Sequence, residues 1–291
     1  MMTLRPWLEL ARISNLPTVW TNVLAGWLLA GGKWEWQPLG WLLAGGSLLY
    51  TAGMLLNDAA DVKFDREHRP ERPIPSGRVG LVTVWCVGVA MMLAGFGMCV
   101  WGAGACVWLA LALVAAIIAY DLYHKPWPGS VLIMGSCRAL LYLVAGSAVT
   151  GGLSWEENHE LVICAGALGA YIVGVSLVAR SEVRPNGAGS FANAFGWFCL
   201  SVPGLVSIPL VLLDEPAGLP LAAVVFGFVL LRASRILSEG PAAIGRAVGL
   251  LLAGIVVVDA LAISPVAPLT SLIFAASMPL LLLWQRKIAA T

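Results

Sequence analysis

The chain has 291 residues, of which 59% are apolar and only 11% charged. Its 17 Lys and Arg nearly balance its 16 Asp and Glu, for a formal net charge of +1. That composition excludes an ordinary water-soluble enzyme and gives no reason to expect nucleic acid as a partner; it suits a chain dissolved in lipid.

Ten apolar runs, each near the roughly 20 residues that cross a bilayer, are expected to be helical spans: 13–31, 38–57, 81–101, 104–120, 130–150, 160–179, 191–213, 218–236, 244–263 and 266–284. The first dozen residues carry Pro6, Glu9 and Arg12 ahead of a full-length apolar run, so no cleavable leader is expected. The fold class is therefore all-α, a polytopic transmembrane bundle of nine to ten spans forming one domain over 1–291. Fifteen of the 17 basic residues fall before span 1, in alternate loops, or after span 10. Lys33 lies on the other side and Arg138 inside span 5. By the positive-inside rule both termini are cytoplasmic, and ten spans are favoured over nine, which would put Arg286 and Lys287 outside. The setting expected is a bacterial inner membrane. The six cysteines all lie in spans without CxxC spacing and read as small apolar filler. Gly245-x-x-x-Gly249 and Gly166-x-x-x-Ala170 read as places where helices pack closely.

Taken in chain order, span 1 opens on Arg12 and Asn15, which can line a cavity or cap the helix. Span 2 runs out in Asn57-Asp58-Ala-Ala-Asp61-Val-Lys-Phe-Asp65. On a helix these four polar residues share one face. Ionisable groups are expensive at the end of a membrane span and usually functional there. Clustered carboxylates repel unless a cation sits among them, and hard oxygen donors suit Mg2+, which takes one or two carboxylates plus substrate phosphates. A solvated helix end is the bland alternative. The loop that follows, 58–80, holds Arg69, Arg72 and Arg78, candidates for gripping a phosphate group, or simply residues that hold the loop inside. After span 4, Tyr120 to Gly129 carries Asp121, His124 and Lys125. Arg138, about 12 Å into span 5 by helix rise, needs either a carboxylate partner or an anionic ligand. After span 6 come Arg180, Glu182, Arg184 and Asn186. Gly53 to Asp61 can be laid on Gly174 to Glu182, which suggests a parallel repeat of four helices. Asp259 lies towards the outer end of span 9, where solvation at the interface is expected.

Asn57-Asp58-x-x-Asp61-x-x-x-Asp65 followed by Arg72-Pro73-Ile74-Pro75-Ser76-Gly77 resembles the first aspartate-rich motif of the UbiA family of intramembrane prenyltransferases. The resemblance implies a helical bundle of about nine spans around a cavity open to lipid, with the tenth span an addition at the C-terminal end. It implies that Asp58, Asp61 and Asp65 hold Mg2+ on a prenyl diphosphate, assisted by Asn57. Lys125 resembles the family's Lys that follows a Tyr in this loop, although four residues separate it from Tyr120 in place of the usual three. The family's second Asp-x-x-x-Asp motif is altered to Glu182-Val-Arg-Pro-Asn186, with Arg180 just before it. A second metal there is put in doubt, and Arg180 and Arg184 become substitutes for it. This stretch resembles the EboC-like branch of the family.

The function this implies is Mg2+-dependent transfer of a prenyl group from a polyprenyl diphosphate to a lipid-soluble acceptor, aromatic or quinone-like, within the membrane. Catalytic roles fall to Asp58, Asp61, Asp65 and Glu182, the first three as metal ligands. Substrate contacts fall to Asn57, Arg69, Arg72, Lys125, Arg138, Arg180 and Asn186. A non-catalytic relative that binds or moves a prenylated lipid is the alternative, separated from the enzyme by metal-dependent diphosphate release. A secondary transporter is a further rival, disfavoured because polar groups gather at one surface and not at the midplane.

Overall fold

The computed structural model describes residues 4–123, 127–181, 190–213 and 219–286. All of the regular structure among them is helical. A short α1 (Leu4–Leu10) precedes α2 (Leu16–Leu29) and the long α3 (Trp36–Ala60), which passes into α4 (Val62–His68). Then come α5 (Leu81–Gly97), α6 (Val107–Tyr123), α7 (Ser130–Thr150), α8 (Trp155–Ser181), α9 (Ser190–Leu213) and α10 (Leu219–Leu237). The chain closes with α11 (Ile244–Ala253), α12 (Ile255–Ile263) and α13 (Pro268–Gln285). Each of the ten expected spans is thus helical. Seven are long and apolar enough to cross a bilayer, counting α5 with its following π turn and Pro241–Ile263 as one run; α6 is a shorter apolar helix.

Glycine ends several of these helices where the chain must turn. Gly31 (φ 80°) follows α2 and Gly151 (φ 71°) caps α7, the left-handed conformation that only glycine adopts cheaply. Between α3 and α4 the break is slight. Asp61 N–H donates to Asn57 O (3.0 Å) and Asp65 N–H to Asp61 O (2.9 Å), so the i to i−4 register runs through the junction and the aspartates keep their common face.

Two large apolar clusters fill the bundle. One joins α2, α3, α5, α6 and α7 around Val19, Leu49, Leu113 and Val144. The other gathers α7 to α13 around Tyr171, Leu200 and Val229. Within the second, α12 is buried from Ile255 to Leu261. A helix apolar all round belongs in the centre, and α12 packs there against α2, α8, α9, α10 and α13.

Close crossings fall elsewhere than the small-residue repeats suggest. A Cβ at Gly26 would lie 2.4 Å from the backbone oxygen of Tyr142, and one at Gly135 would lie 2.5 Å from that of Gly169. A Cβ at Gly166 or Gly245 meets nothing within 4 Å, and one at Gly249 meets only the Gln285 side chain of α13, at 3.3 Å. The repeat shows that two helices can approach, but which face they turn to each other is set by the whole bundle.

Candidate active site

The candidate site lies where the C-terminal ends of α3, α6 and α8 meet the N-terminal ends of α2 and α7. It is built on α3. A third, small apolar cluster fixes its roof: Leu10 at the end of α1 and Ala11 just after it, Leu55 and Ala59 on α3, Val62 on α4, and Ile74, Val79 and Val84. Ile74 sits in the middle of Arg-Pro-Ile-Pro-Ser-Gly and is only 6% exposed. Its burial pins the loop, and the Ser76 hydroxyl donates to Arg72 O at 2.7 Å. Gly77 (φ 74°) turns the chain back. Arg72 is thereby held over the end of α3.

Arg72 Nη1 donates to Asp65 Oδ2 at 2.8 Å and to Asp58 Oδ1 at 3.3 Å. The same Asp58 oxygen accepts from Arg12 Nη2 at 3.1 Å. Asp58 and Asp65 are both buried, and two guanidinium groups compensate them. Asn57, also buried, donates from Nδ2 to Asp121 Oδ1 on α6 at 3.2 Å. Asp61 is partly exposed, one turn from Asn57 on the accessible side of the cluster. The expected face is therefore present, with Asp121 and Arg12 added to it.

The remaining expected residues divide. Arg69 is exposed at the rim. Arg78 turns away from the aspartates to Glu9 Oε2 (3.1 Å) and Glu71 O (2.7 Å). Arg180, at the end of α8, donates to Pro128 O and Ser130 Oγ at the start of α7, bracing two helices at the mouth. Lys125, Glu182, Arg184 and Asn186 lie outside the described residues, as does His124.

Arg138 is not at the mouth. Its Nη1 donates to Asn22 Oδ1 at 2.6 Å, and its guanidinium carbon stands 5.6 Å from the centre of the Tyr50 ring. Asn22 Nδ2 in turn donates to both oxygens of Asp259, each at 2.9 Å, and the Tyr142 hydroxyl donates to Asp259 Oδ1. Asp259 is 0% exposed. This corrects the expectation that it is solvated at an interface: protein donors replace the solvent. The whole group is joined to the mouth, because the Tyr50 hydroxyl donates to Arg12 O at 3.3 Å.

Sequence reasoning left out Asn22, Tyr50, Asp121 and Tyr142 as members of the polar core. Asn15, Thr18 and Asn22 recur at helical spacing along one side of span 1 and all are buried. That stripe was the available signal. Tyr50 and Tyr142 carried none.

Whether the mouth suits a divalent cation is answered by its donors. Among the described residues no three His, Cys, Asp or Glu side chains are grouped to hold a metal. Yet Asp58 and Asp65 both reach one nitrogen of Arg72, so two carboxylates already converge on a single positive group. Mg2+ is usually bound by one or two carboxylates, with substrate phosphates and water completing the shell. The residues present fit that requirement.

The chain is 29% identical over 165 residues to a digeranylgeranylglyceryl phosphate synthase of Sulfurisphaera tokodaii, covering 55% of this chain and 56% of that one. It is 27% identical over 191 residues to a 4-hydroxybenzoate octaprenyltransferase of Acidovorax ebreus, covering 63% and 64%. The chain thus spans a little over half the length of such relatives. The apo structure of a UbiA homolog from Aeropyrum pernix K1 superposes with a TM-score of 0.67 at 18% identity, covering 86% of this chain and 96% of that one, a likeness of fold. The sequence profile of the UbiA prenyltransferase family matches residues 18–290, so α13 lies within the matched region and not beyond it. On that match over nearly its whole length, the chain belongs to the UbiA prenyltransferase family.

Proposed function

We propose that this protein transfers a prenyl group from a polyprenyl diphosphate to a lipid-soluble acceptor within the membrane, and that it does so with Mg2+. The observation that carries the reading is the convergence of Asp58 and Asp65 on one cationic nitrogen, with Arg12 beside them, at the end of an apolar bundle. A prenyl diphosphate has two opposed requirements. Its tail needs lipid-like walls, and its head needs cations at the membrane surface.

Asp58, Asp61 and Asp65 would hold the metal, which when bound supplies the positive charge that makes diphosphate a better leaving group. With the carboxylates so engaged, Arg72 is free to hydrogen-bond diphosphate oxygens, and Arg12 stands beside it. Arg69 at the rim and Lys125 would add positive charge where the head group enters. Asn57, tied to Asp121, fixes the end of α3 against α6. Arg180 braces α7 against α8, and Glu182 and Asn186 would form the opposite wall of the mouth. Cleavage of the allylic C–O bond releases diphosphate with the electron pair and leaves an allylic cation; the acceptor's nucleophilic atom bonds to that carbon and gives up its proton, while apolar side chains keep water from competing. We place this mouth and both termini on the cytoplasmic side, from the distribution of Lys and Arg.

The experiment is turnover of radiolabelled geranyl, farnesyl, geranylgeranyl and longer diphosphates by purified protein, with a panel of lipid-soluble acceptors and Asp61→Ala as control. Diphosphate release that needs both Mg2+ and Asp61 is expected. Tight prenyl diphosphate binding without turnover would favour a lipid-binding role, and neither binding nor turnover would overturn the reading.

A further inference from the structure

Asn57 meets Asp121 because α3 and α6 run together towards the mouth and come close one turn before it. A Cβ at Gly53 would lie 3.0 Å from Ile117 Cγ2. Asn57 and Asp121 each stand four residues further along, so the next turn brings them face to face. Both are buried, at 7% and 9% exposed, and Asn57 Nδ2 lies 3.2 Å from Asp121 Oδ1.

A carboxylate accepts hydrogen bonds and has none to give, whereas a carboxamide has one donating and one accepting end. Facing Asp121, Asn57 can present only its NH2. Its carbonyl oxygen is thereby turned away from Asp121. That oxygen accepts no hydrogen bond among the described residues, and it is not sealed in the core. Asp58 follows Asn57 directly, and Asp61 lies one turn beyond, its N–H on the Asn57 backbone oxygen. Bracing α3 against α6 does not call for a charge. A neutral acceptor would do it, and a buried carboxylate beside three others carries a desolvation cost. What the carboxylate adds is a fixed sense for the amide, because a partner able both to donate and to accept would let it turn over.

We propose that Asp121 is a positioning residue for the head-group site: it holds the Asn57 amide in one sense, so that the mouth receives a carbonyl oxygen and never an N–H. This rests on the prenyl-transfer reading and adds Asp121 to it. An oxygen beside Asp58 and Asp61 is one more hard donor for Mg2+. An N–H there would instead bond to the carboxylates and occupy the lone pairs that the cation needs. Asp121 acts through Asn57 and touches neither metal nor substrate. With Asn in place of Asp121, two facing amides can pair in either sense, and in the absence of metal the aspartates draw the N–H of Asn57 towards themselves.

The test uses the whole protein in phosphatidylcholine nanodiscs and Mn2+ as the probe for the Mg2+ site, with free Mn2+ read by electron paramagnetic resonance and no turnover required. Asp121→Asn keeps the size of the side chain and should weaken Mn2+ binding about tenfold, the lower end of what loss of a ligand's hydrogen-bond partner costs. Asp121→Glu keeps an acceptor-only group and should stay within about threefold of the unmodified protein. A charge acting through space would have the same effect whatever stands at position 57. A positioning residue needs its amide, so on the Asn57→Ala background Asp121→Asn should change the affinity by less than about twofold. A mere helix brace would lower the unfolding temperature and leave the Mn2+ affinity alone. The proposal is overturned if Asp121→Asn binds Mn2+ as tightly as the unmodified protein, or if its effect is as large on the Asn57→Ala background. It is also overturned if Asn57→Ala by itself leaves the affinity unchanged, a result that needs no variant at Asp121. Diphosphate release from farnesyl diphosphate is measured in parallel with the acceptor panel. Coupling between Asn57 and Asp121 in Mn2+ binding, without diphosphate release, would sink the prenyl-transfer reading and leave the positioning role standing.

Discussion

Arg12 reaches Asp58 across 46 residues of sequence, and it does so from a left-handed backbone conformation. Its φ is 42°, the only positive value at a non-glycine among the described residues. Its Nη2 lies 3.1 Å from Asp58 Oδ1, its Nη1 lies 3.1 Å from Met54 Sδ, and its carbonyl accepts from Tyr50. One residue thus touches three successive turns of α3. The backbone conformation costs on the order of 1 kcal/mol, and the contacts with α3 hold it there. Replacing Arg12 by Gln removes the charge and keeps the strain. Replacing it by Gly removes the charge and relieves the strain. Asp58 retains Arg72 and Arg12 is partly exposed, so loss of this ion pair should cost only about 1 kcal/mol. Arg12→Gly is expected to unfold within about 0.5 kcal/mol of Arg12→Gln, although glycine raises the entropy of the unfolded chain. Unfolding of both in one detergent checks this.

Arg72 and Arg69 are three residues apart and differ in what they touch. Arg72 holds two buried carboxylates, whereas Arg69 is exposed. Arg72→Gln should lower kcat/KM for prenyl diphosphate at least tenfold, because it removes a donor to the diphosphate oxygens, and should lower the Mg2+ concentration that gives half-maximal rate, because Asp58 and Asp65 lose the cation that competes for them. Arg69→Gln should lower kcat/KM no more than about threefold, an amount typical of a screened surface charge. Initial rates across a Mg2+ titration separate the two.

The spans and the aspartate face were legible in the sequence because each rests on local facts: apolar length, helical spacing, and the cost of charge in lipid. The i to i−4 register through Asp61 kept Asn57, Asp61 and Asp65 together as spacing predicted. The depth of Asp259 was not legible. Counting residues along span 9 placed it towards the outer surface, but α12 packs against α2, and Asn22 lies only six residues into that helix. Two helices that cross at the centre share a depth that neither sequence segment announces. Arg78 shows the same limit at the mouth. Its charge suited an anion, yet Glu9, 69 residues earlier, was already its partner.

Two buried tyrosines allow the charge on Asp259 to be weighed. Tyr142 donates to that carboxylate, and Tyr171 donates to the neutral carbonyl of Leu251 at 2.8 Å; both side chains are 0% exposed. Hydrogen bonds to charged acceptors contribute about twice as much as neutral ones. Tyr142→Phe should therefore cost about 2 kcal/mol of stability and Tyr171→Phe about 1 kcal/mol. Asp259→Asn should remove most of that difference, so Tyr142→Phe made on the Asp259→Asn background should cost about as little as Tyr171→Phe. Equal losses in the unmodified background would mean that the carboxylate does not act as a charged acceptor.

Gly26 lets α2 approach α7 closely enough for Asn22, one turn away, to reach both Arg138 and Asp259. A Cβ there would meet Tyr142 O at 2.4 Å and Tyr142 Cα at 2.9 Å. Both are backbone atoms of a packed helix, so no side chain can swing aside to admit it. Gly26→Ala must separate the two helices and should destabilise by about 1–3 kcal/mol. Gly166→Ala, where a Cβ meets nothing within 4 Å, should be neutral or slightly stabilising, since alanine is the better helix former. Separation of α2 from α7 also lengthens the 2.6 Å contact between Arg138 and Asn22. Unfolding of the same two variants in one detergent checks this, and a stable Gly26→Ala protein would show that α2 and α7 do not pack as closely as described.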